Sequence, residues 1–485
     1  LLRQSSSTIR DMTACEAVEL LRQRRISPLE IANDCLNRID EINPSLNAFC
    51  WVDRDGALKA ARLSEERWFR GAPLGALDGI PATIKDLTLT IGMPTRRGSA
   101  TTSDAGPWNV DAPVSARLRE AGAILVGKTT SPEFGWKGVT DSPLFGVTRN
   151  PWDKELTPGG SSGGAGVAAA LNLGMLHQGS DAGGSIRIPA SFTGTFGFKP
   201  TFGYVAQWPE SAMRTLSHLG PMTRTVPDAE LMMTVISGRD PRDGFSGPDY
   251  PKSIAVDLER LEGCRIAYSA DLGYVDVSED IRRVTDAAVE QARALGAIIT
   301  EIDPGFSDPI DTIEVLWCAG AARVLRSLDD QQAELLDPGF REMAQRGLNI
   351  SLAEYQAAEM ARSELAAQMS AFHQEHEFLL TPTMPLPPFP VGRVVPDPSI
   401  KKWAAWTPFT YPFNLTQQPA ASLASGLDAK RLPVGLQVVG ARHNDRRLLS
   451  VCRILEKQLG RLVPPCIARF HHTRPRARIT ERCLT

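Results

Sequence analysis

Two hydrophobic periods alternate along the chain. Near the N-terminus, apolar positions recur at helical spacing. Thr13 stands three residues before Glu16 and opens a run containing Val18, Leu20 and Leu21; Ser27 stands in the same relation to Glu30, with Pro28 at the first helical position. Each pair is a capping box, in which hydroxyl and carboxylate satisfy backbone N–H groups that a helix start leaves unpaired. Ile31, Cys35, Leu36 and Ile39 then form one helical stripe. Residues 1–70 therefore read as an N-terminal helical segment, with a short extended stretch, packed on a core that follows.

From about 73 to 200 the pattern changes. Short apolar runs alternate with glycine-rich turns and helical stretches. Ile80–Ile84 reads as a strand, Ser115–Ala121 as a helix and Ala123–Val126 as a buried strand. A similar unit recurs later, with a strand at Arg265–Ser269, a helix over 278–295 and a strand at Ala297–Ile302. The stretch 308–376 reads as helical, with a capping box at Ser351 and Glu354, and Phe378–Leu380 as a buried strand. The proline-rich residues 382–397 exclude a helix interior and predict a long surface connection bordering the site. Pro433–Val439 reads as a late core strand, followed by a helix after Asn444 and Asp445. This alternation predicts an α/β fold: a single large domain with a central mixed, mostly parallel twisted sheet and helices on both faces. The main domain is expected over 71–460, with a variable helical region at 308–410 and a basic tail at 461–485.

Composition narrows the function classes. The chain has 485 residues, 42% hydrophobic and 22% charged, enough for a large core. A formal net charge of −3 gives no electrostatic footprint for nucleic acid or an anionic membrane. The tail departs from this balance, with Arg469, Arg474, Arg476, Arg478 and Arg482 beside His471 and His472; a solvated end is the expectation. The eight cysteines are scattered without a C-x-x-C pair, which suits reduced thiols in a cytoplasmic setting. No apolar run is long enough to span a membrane. The first residues lack a signal-peptide apolar region and an initiator Met, which leaves the true start open.

The most unusual local composition lies between Thr157 and Arg187. Two glycine-flanked serines, Ser161 and Ser185, stand 24 positions apart. Ala182, Gly183, Gly184 and Ser185 can present several backbone N–H groups in one concave turn, a nest suited to an oxyanion. Flexible Gly/Ser turns would show the same composition. A serine nucleophile needs a base. None of the seven histidines stands in a motif with either serine. Lys85 ends an apolar strand, where burial can keep an amine neutral. Two letter matches compete. Gly122–Thr129 fits the P-loop pattern, but its interior reads as a strand rather than a phosphate loop. Gly159–Gly163 fits a nucleophile elbow but has no strand before it. His373 and His376 could share a helix face, without an evident third metal ligand. Cys318 reads as buried packing.

Three segments together resemble the amidase signature family: Pro81–Asp86 around Lys85, Gly159–Gly164 around Ser161 and Asp181–Arg187 around Ser185. Their order and spacing fit, as do Gly146–Trp152, Gly197–Pro200 and Leu432–Gln437; the resemblance spans roughly 10–460. It implies an amidohydrolase that cleaves carboxylic amide C–N bonds, linear amides rather than peptides, without cofactor or metal. Ser185 would be the nucleophile. Ser161, in a cis peptide bond with Gly160, would relay its proton to neutral Lys85. The N–H groups of Ala182, Gly183, Gly184 and Ser185 would bind the oxyanion. Asp181 and Arg187 would brace the loop, and Gly135 would border the acyl pocket.

The same resemblance admits other outcomes. One is the A subunit of a tRNA-dependent amidotransferase, which acts as a glutaminase and amide donor with partner subunits; another is an esterase using the same serine. A tyrosine-rich stretch common in those subunits is absent around Tyr355, and the chain has six tyrosines in all. The expected partner is therefore a small-molecule amide, with no nucleic acid and no membrane; a homodimer is left open. Trp317, Trp403, Trp406 and Phe409 suggest an apolar or aromatic acyl group, although ordinary core packing would explain them equally well.

Overall fold

The computed structural model describes residues 9–247 and 258–465, so the arginine-rich run 469–482, Cys466 and Cys483 lie outside the described residues. The strands are β1 (Phe49–Val52), β2 (Pro81–Lys85), β3 (Ile124–Thr129), β4 (Asp141–Ser142), β5 (Gly146–Val147), β6 (Leu176–Asp181), β7 (Phe196–Lys199), β8 (His218–Thr223), β9 (Arg265–Tyr268), β10 (Ile298–Glu301), β11 (Phe378–Pro382), β12 (Ala420–Leu427) and β13 (Pro433–Gly440). Eleven of them form one sheet, in the order β1-β3-β2-β6-β8-β7-β12-β13-β11-β9-β10, and β4 and β5 pair separately. Every residue of β2, β3, β6 and β13 is buried. Successive strand side chains point to opposite faces, so both faces are covered there.

The expected mixed sheet is present, but its parallel share is smaller than the alternation predicts. Parallel pairing is confined to β3-β2-β6 and β11-β9-β10. Six of the ten pairings are antiparallel. The reason is local connection. A helix separates β9 from β10, at Glu279–Ala294, and the pair is parallel. No α-helix lies between β7 and β8 or between β12 and β13, and such short returns reverse the chain direction.

The N-terminal expectations hold in detail. Both capping boxes form, at Thr13 with Glu16 and at Ser27 with Glu30. Ile31, Cys35, Leu36 and Ile39 are buried, the last three in one cluster with Ile124 and Val126 of β3. The intervening β1 pairs with β3, which makes this segment the edge of the sheet. The helical stretch after 308 is four helices, Ile310–Leu325, Asp330–Glu334, Pro338–Leu348 and Leu352–Glu375. The proline-rich connection is not a surface loop along its whole length. Met384 and Phe389 are buried with Phe192 and Trp406, and the Thr157 N–H donates to the Phe389 carbonyl at 2.8 Å. Proline cannot extend a ladder, but its apolar neighbours can still fill a core.

Candidate active site

The parallel strands β3, β2 and β6 end together, and the polar residues gather at their carboxyl ends, where open α/β sheets place their sites. Lys85 is the last residue of β2, in register with Thr129 of β3. Asp181 is the last residue of β6. After β6 the chain turns through 182–186 into the short buried helix Arg187–Thr193. Ser161 arrives from the loop before the helix Gly163–Ala170, across a cis Gly160–Ser161 bond.

Lys85 is fully buried. Its Nζ lies 2.8 Å from Ser161 Oγ, 2.9 Å from Ser162 Oγ and 2.9 Å from Ser180 Oγ. No carboxylate pairs with it among the described residues. Burial holds the amine well below its ordinary pKa, and the distant charge of Asp181 opposes this only in part. Ser185 is 5% exposed, and its hydroxyl has no hydrogen bond among the described residues. Its backbone carbonyl accepts from the Ser162 N–H at 3.1 Å, which ties the two serine loops together.

The turn between β6 and Ser185 is shaped from inside. Asp181 Oδ1 accepts from the Gly184 N–H at 2.8 Å and Oδ2 from the Ile186 N–H at 3.2 Å. Arg187 grips the same carboxylate, with both donor contacts at 3.0 Å. Burial alone would raise the Asp181 pKa, but the Arg187 guanidinium, with Lys199 and Asn414, holds it well below the usual carboxylate range. Arg187 also donates to the Thr410 carbonyl at 2.9 Å, Gln437 Oε1 at 2.7 Å and Asn414 Oδ1 at 2.7 Å. Asp181 and Arg187 therefore brace the loop, as the sequence suggests.

This bracing alters one expectation. The Gly184 N–H is spent on Asp181 and is not free for an oxyanion. The amides of Ala182, Gly183 and Ser185 have no hydrogen-bond partner among the described residues. Gly184 serves through its backbone instead. Its φ is +126°, and an added Cβ would lie 2.3 Å from Thr410 Oγ1. Gly184→Ala should therefore cost about 1–3 kcal/mol in strain. The expected outcome is a lower melting temperature and at least a tenfold loss of kcat, measured on the purified variant.

Gly135 does approach the site. An added Cβ there would lie 3.3 Å from Ser161 Oγ and 2.9 Å from Leu87. The four aromatics separate into two groups. Trp317 and Trp403 pack together with ring centroids 4.9 Å apart, and both face Gly183. Phe409 belongs to the same buried cluster, whereas Trp406 packs against Phe192 and Phe389 in another. Other candidates lie elsewhere. Gly122–Thr129 contains β3 itself, so no phosphate loop exists there. His373 Nδ1 meets the His376 carbonyl at 2.9 Å and closes a helix end. Cys318 is buried in the helical cluster. No described histidine hydrogen-bonds to Ser161 or Ser185.

Sequence reasoning missed Ser162, Ser180, Thr410 and Asn414. Ser180 left a signal, since a polar side chain in a wholly buried strand needs a partner. Asn414 left none, because only the fold brings it across 233 positions to Asp181.

With this geometry in view, comparison with known proteins is informative. A sequence model of the family described as Amidase matches residues 30–449. An acylamidase of Rhodococcus erythropolis is 34% identical over 454 residues, spanning 92% of this chain and 95% of that one. The A subunit of a glutamyl-tRNA(Gln) amidotransferase from Azoarcus sp. (strain BH72) is 34% identical over 463 residues, spanning 89% and 94%. The crystal structure of a bacterial aryl acylamidase, one of the amidase signature enzymes, superposes with a TM-score of 0.86 at 29% identity, covering 93% of this chain and 96% of that chain. Motif spacing, fold and family match coincide, and the chain is an amidohydrolase of the amidase signature family.

Proposed function

We propose that the protein hydrolyses linear carboxylic amides through an acyl-enzyme on Ser185, with Ser161 relaying protons to and from Lys85. The observation that carries this reading is the buried Lys85 amine among three hydroxyls, with no carboxylate to hold it charged. A neutral amine has two N–H donors and one lone pair. The Ser162 hydroxyl donates to the Ser180 carbonyl at 3.1 Å, so its oxygen is left to accept from Lys85. Ser180 Oγ takes the second N–H. The lone pair then faces the Ser161 hydroxyl, in position to accept its proton.

In the first step Ser185 Oγ bonds to the substrate carbonyl carbon. Its proton passes to Ser161, whose own proton passes to Lys85. The carbonyl oxygen takes the negative charge and sits among the free amides of Ala182, Gly183 and Ser185. The C–N bond then breaks, and the protonated Lys85 returns the proton through Ser161 to the leaving nitrogen. Water attacks the ester by the same route and releases the acid. The test is rapid quenching with a slow amide followed by peptide mapping. The acyl mass increment belongs on the peptide carrying Ser185; its appearance on Ser161 would end the assignment.

Substrate choice is proposed to rest on Trp317 and Trp403, which favour an apolar or aromatic acyl group beside Gly183. Trp403→Ala and Trp317→Ala should each lower kcat/KM for a benzoyl amide roughly tenfold relative to an acetyl amide. An unchanged ratio across a matched panel would refute this. The amidotransferase reading draws support from the Azoarcus relative. Glutamine, however, carries an ammonium and a carboxylate, and the two indoles beside Gly183 supply no charged partner for either. Copurification of stoichiometric partner subunits would reverse the preference. An ester with the same acyl group should also turn over, because the nucleophile does not distinguish its leaving atom before attack.

A further inference from the structure

A second concavity lies outside the machinery described above. It is bounded by residues 212–216, the helix Ile310–Leu325, the end of Pro338–Leu348 and the start of Leu352–Glu375, and encloses about 390 Å³. That volume falls in the range of small-molecule sites. Its lining is mixed: Met213, Leu216, Leu316, Ala319, Ile350 and Leu352 form an apolar part, beside polar and charged side chains. Lys85, Ser161, Ser185 and Trp403 take no part in it. Trp317 leaves the same helix toward Gly183, whereas Leu316, Ala319 and Arg323 line the cavity.

The charges are one-sided. Arg214, Arg323, Arg326 and Arg362 line the cavity, against Glu359. Arg362 is spent, with Nε on the Leu415 carbonyl at 2.8 Å and Nη1 and Nη2 on Thr215 at 2.7 and 3.0 Å. Arg214 and Arg323 share a single carboxylate, Glu210, at 3.2 and 2.7 Å. The Arg326 guanidinium has no hydrogen bond or ion pair among the described residues. A partly apolar hollow with one exposed, unpaired guanidinium at its edge suits an occupant with an apolar body and a carboxylate: the arginines repel cations, and a neutral occupant gains no charge-assisted hydrogen bond from Arg326.

We infer that this cavity is a binding site for a small monocarboxylate with an apolar body, its carboxylate on Arg326 and Arg323 and its chain between Met213, Leu316 and Ile350. The inference is independent of the hydrolytic mechanism.

The experiment is calorimetric titration of the full chain with decanoate, using decylammonium as the opposite-charge control. Decanoate should bind at one site, and decylammonium should not. Arg326→Glu, an exposed position whose change leaves the fold intact, should weaken decanoate at least tenfold. Ala319→Phe, which fills the hollow, should do the same, and Trp403→Ala should leave it unchanged. Absence of decanoate binding to the wild type overturns the inference, as does equal affinity of Arg326→Glu. So does equal binding of decylammonium, or a loss on Trp403→Ala, which would move the ligand to the catalytic cleft. Matching thermal melts verify that the variants are folded.

Discussion

Lys85→Met should lower kcat by roughly 10³–10⁴-fold and change how stability responds to pH. The first effect would follow from removing the amine that, among the described residues, contacts the Ser161 hydroxyl and is proposed to take its proton. On the proposed mechanism, wild-type kcat/KM should fall as pH drops through the depressed pKa of Lys85, because the protonated amine cannot act as a base. The second effect has a definite sign. The folded amine titrates below its ordinary 10.5. Between the folded and unfolded values, the unfolded chain binds one more proton than the native one. Stability therefore rises with pH across that window. Relative to Lys85→Met, the wild type should gain about 1.4 kcal/mol per pH unit. Urea melts of both proteins over the pH range just below 10.5 measure this. Lys199 is also buried and shifted down, but it is common to both proteins and cancels in the difference. A flat difference would mean that Lys85 is charged in the native state, and the proton relay would have to be abandoned.

Ser185→Ala should reduce kcat by at least ~10⁴-fold while leaving the melting temperature near that of the wild type. The two halves have different causes. Catalysis should be lost because the proposed nucleophile, at the end of the Ala182–Ser185 turn, is removed. Stability should be kept because the Ser185 hydroxyl makes no hydrogen bond among the described residues, and its backbone contact with Ser162 survives. A fluorophosphonate gives a sharper measurement than rates. Wild type should gain one adduct, on the peptide carrying Ser185. The adduct should be absent from Ser185→Ala and strongly slowed in Lys85→Met. Labelling at Ser161 would instead revive the nucleophile elbow.

Much of this was legible in the residues, for identifiable reasons. Capping boxes and stripes are local, and Thr13 with Glu16, Ser27 with Glu30, and Ser351 with Glu354 all cap the helices that they predict. Largely apolar runs such as Pro433–Val439, interrupted by Gln437, read as core strands because both faces of the sheet are covered. The direction of pairing was less legible, since β7, β8, β12 and β13 reverse through loops that carry no periodicity. Lys85, Ser161 and Ser185 could be singled out from motif spacing. The proton geometry at Lys85 could not, because it depends on Ser162 and Ser180 arriving from two separate elements. Nor could the spending of the Gly184 amide, a matter of one carboxylate's reach.

The clamp on Arg187 also has a consequence for how the chain is made. Its partners Thr410, Asn414 and Gln437 lie 223, 227 and 250 residues further on. A polypeptide emerging from the ribosome has Lys85, Ser161 and Ser185 early, yet the guanidinium that shapes their loop waits for the turn at Thr410, the short helix carrying Asn414 and the strand carrying Gln437. Until these dock, Arg187 has Asp181 without them, and the turn lacks its outer anchors. A nascent or truncated chain ending before Thr410 would thus carry every reactive side chain and remain inert, so that hydrolytic competence comes only with completion of the fold.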